Sequence, residues 1–358
     1  MRSSTELKEL YQKSKKRKFL ALFFIFLIFL IVLVISLHFG AGEPRLDDVI
    51  NVVLSRLFPF LNINPGSEII QGIVLNIRLP RIALAIIAGL GLAAAGATMQ
   101  GVLRNPLVSS YTLGISAGAS FGASIAIIFQ LGLLVEYPRY ITVGNAFLFS
   151  MLSMLIVYGI ACFRGISSEA MILAGVAVNY LFSALVSFMQ YVSPESEAVR
   201  SVVFWLLGSF INSTWTSVLF VIPFVGITII LMMRQSWDLN AISLGEETAI
   251  SLGVNSKRIT TISMVLVTLA TASIVSFTGI LGFVSLVSPH FARMLVGNDH
   301  RFVLPCSALM GSCLLLCSDT LARLLLHNSD IPVGIITSLL GVPFFIYLIL
   351  TKRRRNWK

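Results

Sequence analysis

Apolar runs follow one another along almost the whole chain, separated by short polar breaks. They fall at 19–39, 81–99, 111–134, 141–162, 170–192, 214–233, 259–278, 280–296, 303–326 and 332–351. At about 1.5 Å per residue, roughly 20 helical residues cross a hydrocarbon core about 30 Å thick. The runs are continuous rather than alternating, which excludes the strands of a membrane β-barrel. The pattern predicts ten transmembrane helices, the seventh and eighth parted only at Thr278-Gly279. The first run is longer than the roughly 7–15 apolar residues of a signal peptide. It is read as a retained helix behind a basic segment, residues 1–18, that ends in Lys13, Lys15, Lys16, Arg17 and Lys18.

Three of the breaks carry patterns of their own. In 40–77, Leu46, Val49, Ile50, Val53 and Leu57 share a helical face against Asp47, Asp48, Asn51 and Ser55, which predicts a short helix on the membrane surface. In 193–213, Val202 to Leu207 is apolar but too short to span and is placed at the interface. In 234–258, Gly245 and Gly253 offer helix ends, and Leu244, Ala249, Ile250 and Leu252 an apolar face. Two short helices outside the bilayer are expected there. Their apolar face needs cover, either from the chain's own membrane domain or from a partner.

Composition supports the membrane reading. Of 358 residues, 56% are hydrophobic and 12% charged, with mean hydropathy +0.91, against about 25% charged in a soluble domain. The net charge of +10 sits beside the apolar runs rather than on one soluble face, so it does not suggest nucleic acid. If both termini are cytoplasmic, 19 of the 26 Lys and Arg residues, including every lysine, fall inside, as the positive-inside rule requires. The outer arginines are then Arg45, Arg56, Arg78, Arg81, Arg139, Arg200 and Arg323. The organisation expected is a basic segment (1–18), a membrane domain (19–351) containing a loop at 238–256, and a basic tail (352–358).

The stretch from 78 to 122 is the most informative. Ala83, Ala85, Ala88, Gly89, Gly91, Ala93 to Ala97 and then Gly114, Gly118 and Gly122 make helices that backbones can approach closely. The turn Arg104-Asn105-Pro106-Leu107 joins them. Catalytic chemistry is scarce: no phosphate-binding G-x-x-x-x-G-K-[ST] loop, zinc spacing, catalytic triad or paired intramembrane carboxylates are found. Asp319 and Arg323, at i and i+4, read as a local ion pair, and His290 as a structural hydrogen-bonding group. His38, His300 and His327 look incidental. Cys162, Cys306, Cys313 and Cys317 read as small core residues, and no metal site is expected.

The motifs Arg78-Leu-Pro-Arg81, Gln100-Gly-x-x-Arg-Asn-Pro-Leu107, Leu113-Gly-Ile-Ser-Ala-Gly118, Leu173-Ala-Gly-Val-Ala177, Leu244-Gly-x3-Ala-x2-Leu-Gly253, Gly282-Phe-Val-Ser-Leu-Val-Ser-Pro-His290, Asp299-His-Arg-x-x-Leu-Pro305 and Pro332-Val-Gly-x-x-Thr-x-x-x-Gly-x-Pro-Phe344 come in one order over most of the chain. In this the chain resembles the FecCD-type (BtuC-like) permeases of ABC importers for iron–siderophore complexes, haem and vitamin B12. Ser109-Ser110 departs from the acidic or prolyl residues often found after the Asn-Pro-Leu turn.

The resemblance implies an all-α, type II importer permease in the cytoplasmic membrane. Such a permease pairs with a second copy or a related permease, with two cytosolic ATPases that hold ATP and magnesium, and with an extracytoplasmic binding protein. This chain itself is then neither an enzyme nor a cofactor carrier. Arg78, Arg81 and Arg323 match arginines that meet acidic residues of the binding protein, so reversing Arg78 and Arg81 to glutamate should weaken docking. Asn105, Pro106 and Leu107, with Ser167 and Ser168, match the cytoplasmic gate. Leu244, Gly245, Glu246, Glu247, Ala249, Leu252 and Gly253 match the loop that couples to the ATPase. The fifth and tenth helices, with Asn179, would line the pathway. A ferric siderophore is the first cargo expected, then haem or cobalamin. The rival of another class is an ion-coupled secondary transporter, which would need an essential buried acid.

Overall fold

A computed structural model describes residues 4–40, 46–61, 64, 66–131, 138–163, 165–325 and 331–351. The basic tail 352–358 and Arg2, Arg45, Arg164 and His327 lie outside the described residues. In chain order the helices are α1 (Ser4–His38), α2 (Leu46–Leu57), α3 (Glu68–Ile73), α4 (Leu79–Val102), α5 (Ile115–Phe129), α6 (Pro138–Cys162), α7 (Ser168–Val192), α8 (Ser196–Leu206), α9 (Trp215–Arg234), α10 (Ser236–Ser243), α11 (Glu246–Ser251), α12 (Ser256–Thr278), α13 (Val284–Val296), α14 (His300–Leu325) and α15 (Val333–Thr351). No strand occurs among the described residues. Seven helices are long and apolar enough to cross a bilayer, and α5, α13 and α15 are shorter apolar helices. Together they occupy the ten predicted runs.

The apolar pattern left several ends to be set by the backbone. The basic segment and the first run form one helix, α1, with no break at residue 18. The run expected to reach 134 stops at Phe129, where Gln130 turns left-handed at φ 52°. Residues 68–77, expected as loop, are helical and lead through one π-turn, Val74–Arg78, into α4. The interfacial helix α8 begins at Ser196, six residues before its apolar piece. Helix α2 forms as predicted, and part of its apolar side packs on protein: Val49 and Val52 are buried with Val74 beside Leu37, while Ile50 stays exposed.

Helix α4 is the centre of the bundle and packs on α9, α12, α13 and α14. Its small residues make this possible. A methyl group on Gly89 would come within 2.5 Å of backbone atoms of Gly311 and Ser312 on α14, and one on Gly96 within 1.8 Å of the Ser285 carbonyl on α13. The Ser312 hydroxyl donates to the Ile86 carbonyl at 2.9 Å across the α4–α14 contact. The second small-residue ridge works in the same way. Gly118 and Gly122 of α5 meet the Phe149 and Asn145 carbonyls of α6, where a methyl group would lie at 2.4 and 2.3 Å. Close backbone contact supplies the dispersion that lipid cannot, since lipid tails are as apolar as the helices.

Helices α12 and α13 are parted by non-helical residues 279–283, with Gly279 and Phe283 at positive φ. Such a break is tolerated at membrane depth where protein buries it. Here Gly208 and Gly334 close on it: the Ser209 amide donates to the Thr278 carbonyl at 2.7 Å, and the Gly334 amide to the Gly208 carbonyl at 3.3 Å.

Replacing Gly96 with alanine should therefore cost more than the roughly 1–3 kcal/mol of an ordinary overpacked site, because the obstacle is backbone. Gly144→Ala, which meets nothing within 4 Å, should be nearly neutral. Thermal unfolding of both variants in detergent measures the difference, and equal midpoints would refute the account of α4.

Candidate functional site

The break after α12 opens onto a cavity of about 850 Å³. Its walls come from the segment 109–112, α5, α7, the C-terminal end of α8, the 280–286 segment and α15. Asn179, Ser183 and Ser187 of α7 line it at intervals of four residues, as do Ser116 and Ser120 of α5, with Gln190, Ser285 and Ser338 nearby. The same i, i+4 spacing of hydroxyls in apolar helices is visible in the sequence and marks one face. Among the described residues, the lining contains no Asp, Glu, Lys, Arg or His. The Asn179 side-chain oxygen is buried with no hydrogen-bond partner among the described residues. The expected lining helices, the fifth and tenth spans, are α7 and α15, and both contribute.

Below the cavity, towards the lysine-rich end, lies the turn from Arg104 to Val108. Arg104 takes a left-handed φ of 47°, and the Asn105 side-chain oxygen accepts the Leu107 amide at 2.9 Å. The turn is tied to α13 at two points. His290 Nε2 lies 3.1 Å from the Pro106 carbonyl, which makes His290 the structural hydrogen-bonding group expected. Gln100 donates to the Val108 carbonyl at 3.3 Å and the Leu286 carbonyl at 3.4 Å, and its own oxygen accepts from Arg293. The Gln100–Arg293 pair spans nearly two hundred residues and has no local signature. Ser167 caps α7, its hydroxyl accepting the Ala170 amide at 3.2 Å, and Ser168 opens that helix. No hydrogen bond among the described residues joins either serine to the 104–108 turn. Instead α7 reaches the far side of the turn by backbone contact, Gly175 lying against Thr112 and Leu113.

The loop at 238–256 contains α10 and α11, hinged at Gly245 with φ 117°. Ala249 does not share the outward face assigned to it: it is fully buried with Ala241 and Ile242, beside Val254 and Ile259. Leu244, Ile250 and Leu252 point outward, each more than 60% exposed, flanked by exposed Glu246 and Glu247. Gly253 ends the loop with φ 81°.

At the opposite end, Arg78, Arg81 and Arg323 correct the expectation of exposed arginines. Arg78 is 2% and Arg81 7% exposed. Asp319, wholly buried, binds Arg81 at 2.8 Å and Arg323 at 3.1 Å. The expected Asp319–Arg323 pair is present, but Arg81, 238 residues away in sequence, completes it. Arg78 donates to the Leu37, His38 and Gly40 carbonyls at 2.9, 3.1 and 2.7 Å. Arg323 donates to the Ser36 hydroxyl at 2.9 Å and to the Phe39 carbonyl. These carbonyls close the C-terminal end of α1, where unpaired acceptors and the helix dipole favour cations. Burial has a plain cause: in an apolar setting a guanidinium must find acceptors, and the end of α1 and Asp319 supply them. Arg81→Glu would set a carboxylate against Asp319, so its effect would reach beyond docking. His300 is also corrected. It is 4% exposed, and its amide and Nδ1 lie 2.8 and 3.0 Å from the Asn240 side-chain oxygen. Among the described residues no cluster of His, Cys, Asp and Glu could hold a metal. Cys306 is buried, Cys313 and Cys317 are half-buried, and Cys162 is exposed.

The model of the FecCD transport family matches residues 27–351. The chain belongs to the FecCD transport family. Among its relatives, the ABC transporter permease protein MJ0087 of Methanocaldococcus jannaschii is 42% identical over 314 residues, 86% of this chain and 88% of that one. The hemin transport system permease protein HmuU of Yersinia pestis is 37% identical, over 85% of this chain and 90% of that one. The molybdate import system permease protein MolB of Haemophilus influenzae is 36% identical, over 90% and 92%. A solved inward-facing ABC transporter assigned to the metal-chelate type superposes with a TM-score of 0.79 at 34% identity, covering 92% of this chain and 98% of that one. This FecCD protein is thus a multi-pass permease subunit of an ABC importer in the cytoplasmic membrane, and ATP hydrolysis belongs to a separate subunit.

In this FecCD chain, Asp319→Ala leaves Arg81 and Arg323 facing each other without their carboxylate. Breaking a buried pair in this way costs on the order of 3–5 kcal/mol. The variant should show a large fall in unfolding midpoint in detergent, and Asp319→Asn, which keeps the hydrogen-bonding shape, a smaller one. An unchanged midpoint for Asp319→Ala would refute the structural role.

Proposed function

We propose that this permease imports an iron chelate, a ferric siderophore before haem or cobalamin, with its termini and lysine-rich end in the cytoplasm. The observation that carries the cargo reading is the neutral lining of the cavity. A bare oxyanion or cation leaving water needs opposite charge around it. A chelate has its metal charge compensated by its own ligands and presents hydrogen-bonding atoms at its rim. Hydroxyls and amides suit that rim, and their modest, repeated hydrogen bonds favour passage over retention. Relatives named for hemin, cobalamin, Fe(3+)-citrate and molybdate show how widely cargo varies within the family.

Two permease chains enclose the pathway in this reading, and two ATPases dock below. The exposed Leu244, Ile250 and Leu252, lying outside the spans, support the docking of an ATPase, since an apolar patch away from lipid calls for cover. The 104–107 turn, with Ser167 and Ser168, closes the cytoplasmic side. A binding protein loads cargo from the opposite face, and the outer arginines act there by shaping the surface around α1 rather than as free charges. ATP and the loaded binding protein favour different arrangements of the helices, and that difference drives alternation. The ion-coupled alternative is disfavoured by one fact: Asp319 is the one Asp or Glu among the described residues that is fully buried, and it is committed to two arginines.

The test is uptake into liposomes by this permease co-purified with its cognate ATPase, with the binding protein loaded in turn with ferric siderophore, haem, cobalamin and molybdate. ATP-dependent uptake of the ferric siderophore is expected. Preference for molybdate would overturn the cargo reading. Uptake driven by an ion gradient, with no ATPase co-purifying, would overturn the importer reading.

A further inference from the structure

At the lysine-rich end, three separate parts of the chain meet on one carboxylate. Asp299, between α13 and α14, accepts the Asn240 side-chain amide at 2.9 Å. It binds Arg301 through both oxygens, with contacts of 2.6 to 3.1 Å. Lys18 of α1 lies 3.7 Å away. Asn240 belongs to α10, in the loop that carries the exposed leucines. Arg301 also stacks its guanidinium 4.1 Å above the Trp237 ring of α10. So α10 is gripped twice by the first turn of α14, once by hydrogen bonds and once by an aromatic face. Burial would raise the Asp299 carboxyl, but the hydrogen bonds from Arg301 and Asn240, with the charge of Arg301, hold it well below the usual carboxylate range. It therefore stays ionised at neutral pH, and its hydrogen bonds are charge-assisted.

The grip continues inward. While the Asn240 side-chain nitrogen faces Asp299, its oxygen accepts the His300 amide and faces the His300 ring. The other edge of that ring lies against Gly101, where a methyl group would come within 2.5 Å of His300 Nε2. Gly101 is in the last turn of α4, three residues before Arg104 opens the gate turn. Its neighbour Gln100 is the residue that Arg293 holds and that reaches Val108 and Leu286. A continuous path of polar and tight contacts thus runs from α10 through Asp299 and His300 to both ends of the gate turn.

We propose that Asn240 and Asp299 form a strut that makes α10, the α13–α14 connection and the last turn of α4 move as one body, carrying displacement of the coupling loop to the gate. Asp299 is a positioning residue: it acts by fixing α10 against α14. Shape supports this role. A loop joined to the bundle by its chain ends alone could tilt without moving the gate, whereas one held by a bidentate ion pair and a stacked ring transmits its motion. The inference rests on the proposed docking of an ATPase at the 238–256 loop.

Two measurements test it. In the first, the co-purified complex in liposomes is assayed for cargo moved per ATP hydrolysed. Asp299→Ala and Asn240→Asp should lower that ratio by about threefold to tenfold, within the range by which single residues modulate coupling, while the ATPase still co-purifies. The exchange Asn240→Asp with Asp299→Asn restores one amide and one carboxylate and should recover much of the ratio. In the second, amide hydrogen exchange is followed in the permease alone. Asp299→Ala should raise exchange at residues 236–251 and also at 104–108. An unchanged ratio in both single variants, or faster exchange confined to 236–251, would overturn the strut. So would failure of the exchanged pair to recover while both singles lose the ATPase. If the wild-type complex shows no ATP-dependent uptake, the importer reading fails first, and the exchange experiment still decides whether the two segments are mechanically joined.

Discussion

Backbone-to-backbone packing along α4 is the constraint on which the other features depend. In water, a helix this rich in alanine and glycine would have little to hold it in a core. In a membrane the hydrophobic effect does not draw one helix to another, so contact must come from fit. Gly89 against α14 and Gly96 against α13 bring main chains together with no side chain between them. Because α4 occupies the middle, the helices around it are indexed to it. The cavity, the break after α12 and the 104–108 turn inherit their positions from that indexing.

The same economy explains where polarity is allowed. The bundle interior holds many serines and threonines, most of which return their hydroxyl to a carbonyl one turn back, as Thr98 does to Ala94 and Ser307 to Val303. Several hydroxyls that line the cavity do the same, Ser187 donating to the Ser183 carbonyl at 3.1 Å and Ser120 to the Ser116 carbonyl at 2.8 Å, which leaves their oxygens as acceptors for a passing solute. Full charges are kept to the two ends. One end gathers them around Asp319 and the other around Asp299, so at each end a single acid is shared between two cations.

What the sequence made legible follows the reach of each signal. Hydropathy is local and cumulative, so all ten apolar helices, the amphipathic α2 and the paired α10 and α11 could be read from it. Glycine spacing showed that α4 and α5 pack closely but not against what. Asp319 and Arg323 lie one turn apart and could be paired on sight, whereas Arg81 could not, since nothing near it in the chain announces a carboxylate on α14. His300 stands beside a span end and looked idle, because its partner Asn240 lies in a different loop. Arg78, Arg81 and Arg323 gather at the end of the bundle opposite the lysines, but the sequence reading takes them as exposed. Their acceptors are main-chain carbonyls at the end of α1, and every residue type has those. Ala249 was assigned to the outer face by its place in an apolar pattern, although its small size suits it to the inner one.

Helix α1 lies at the edge of the bundle, with only 11% of its most apolar window buried, yet its apolar part is fastened at both ends. Lys18 reaches Asp299 and lies over Phe302 at one end, and Arg78 and Arg323 hold the carbonyls from Ser36 to Gly40 at the other. The helical rise between Lys18 and Leu37 is about 28 Å, close to the thickness of a hydrocarbon core. A rod pinned at two points so spaced acts as a gauge of bilayer thickness. In a thicker or thinner membrane, α1 cannot adjust by tilting on its own, as a free helix would. The mismatch must be borne by the lipid or passed to the two acid clusters, so lipid chain length enters the mechanics of this permease through its most peripheral helix.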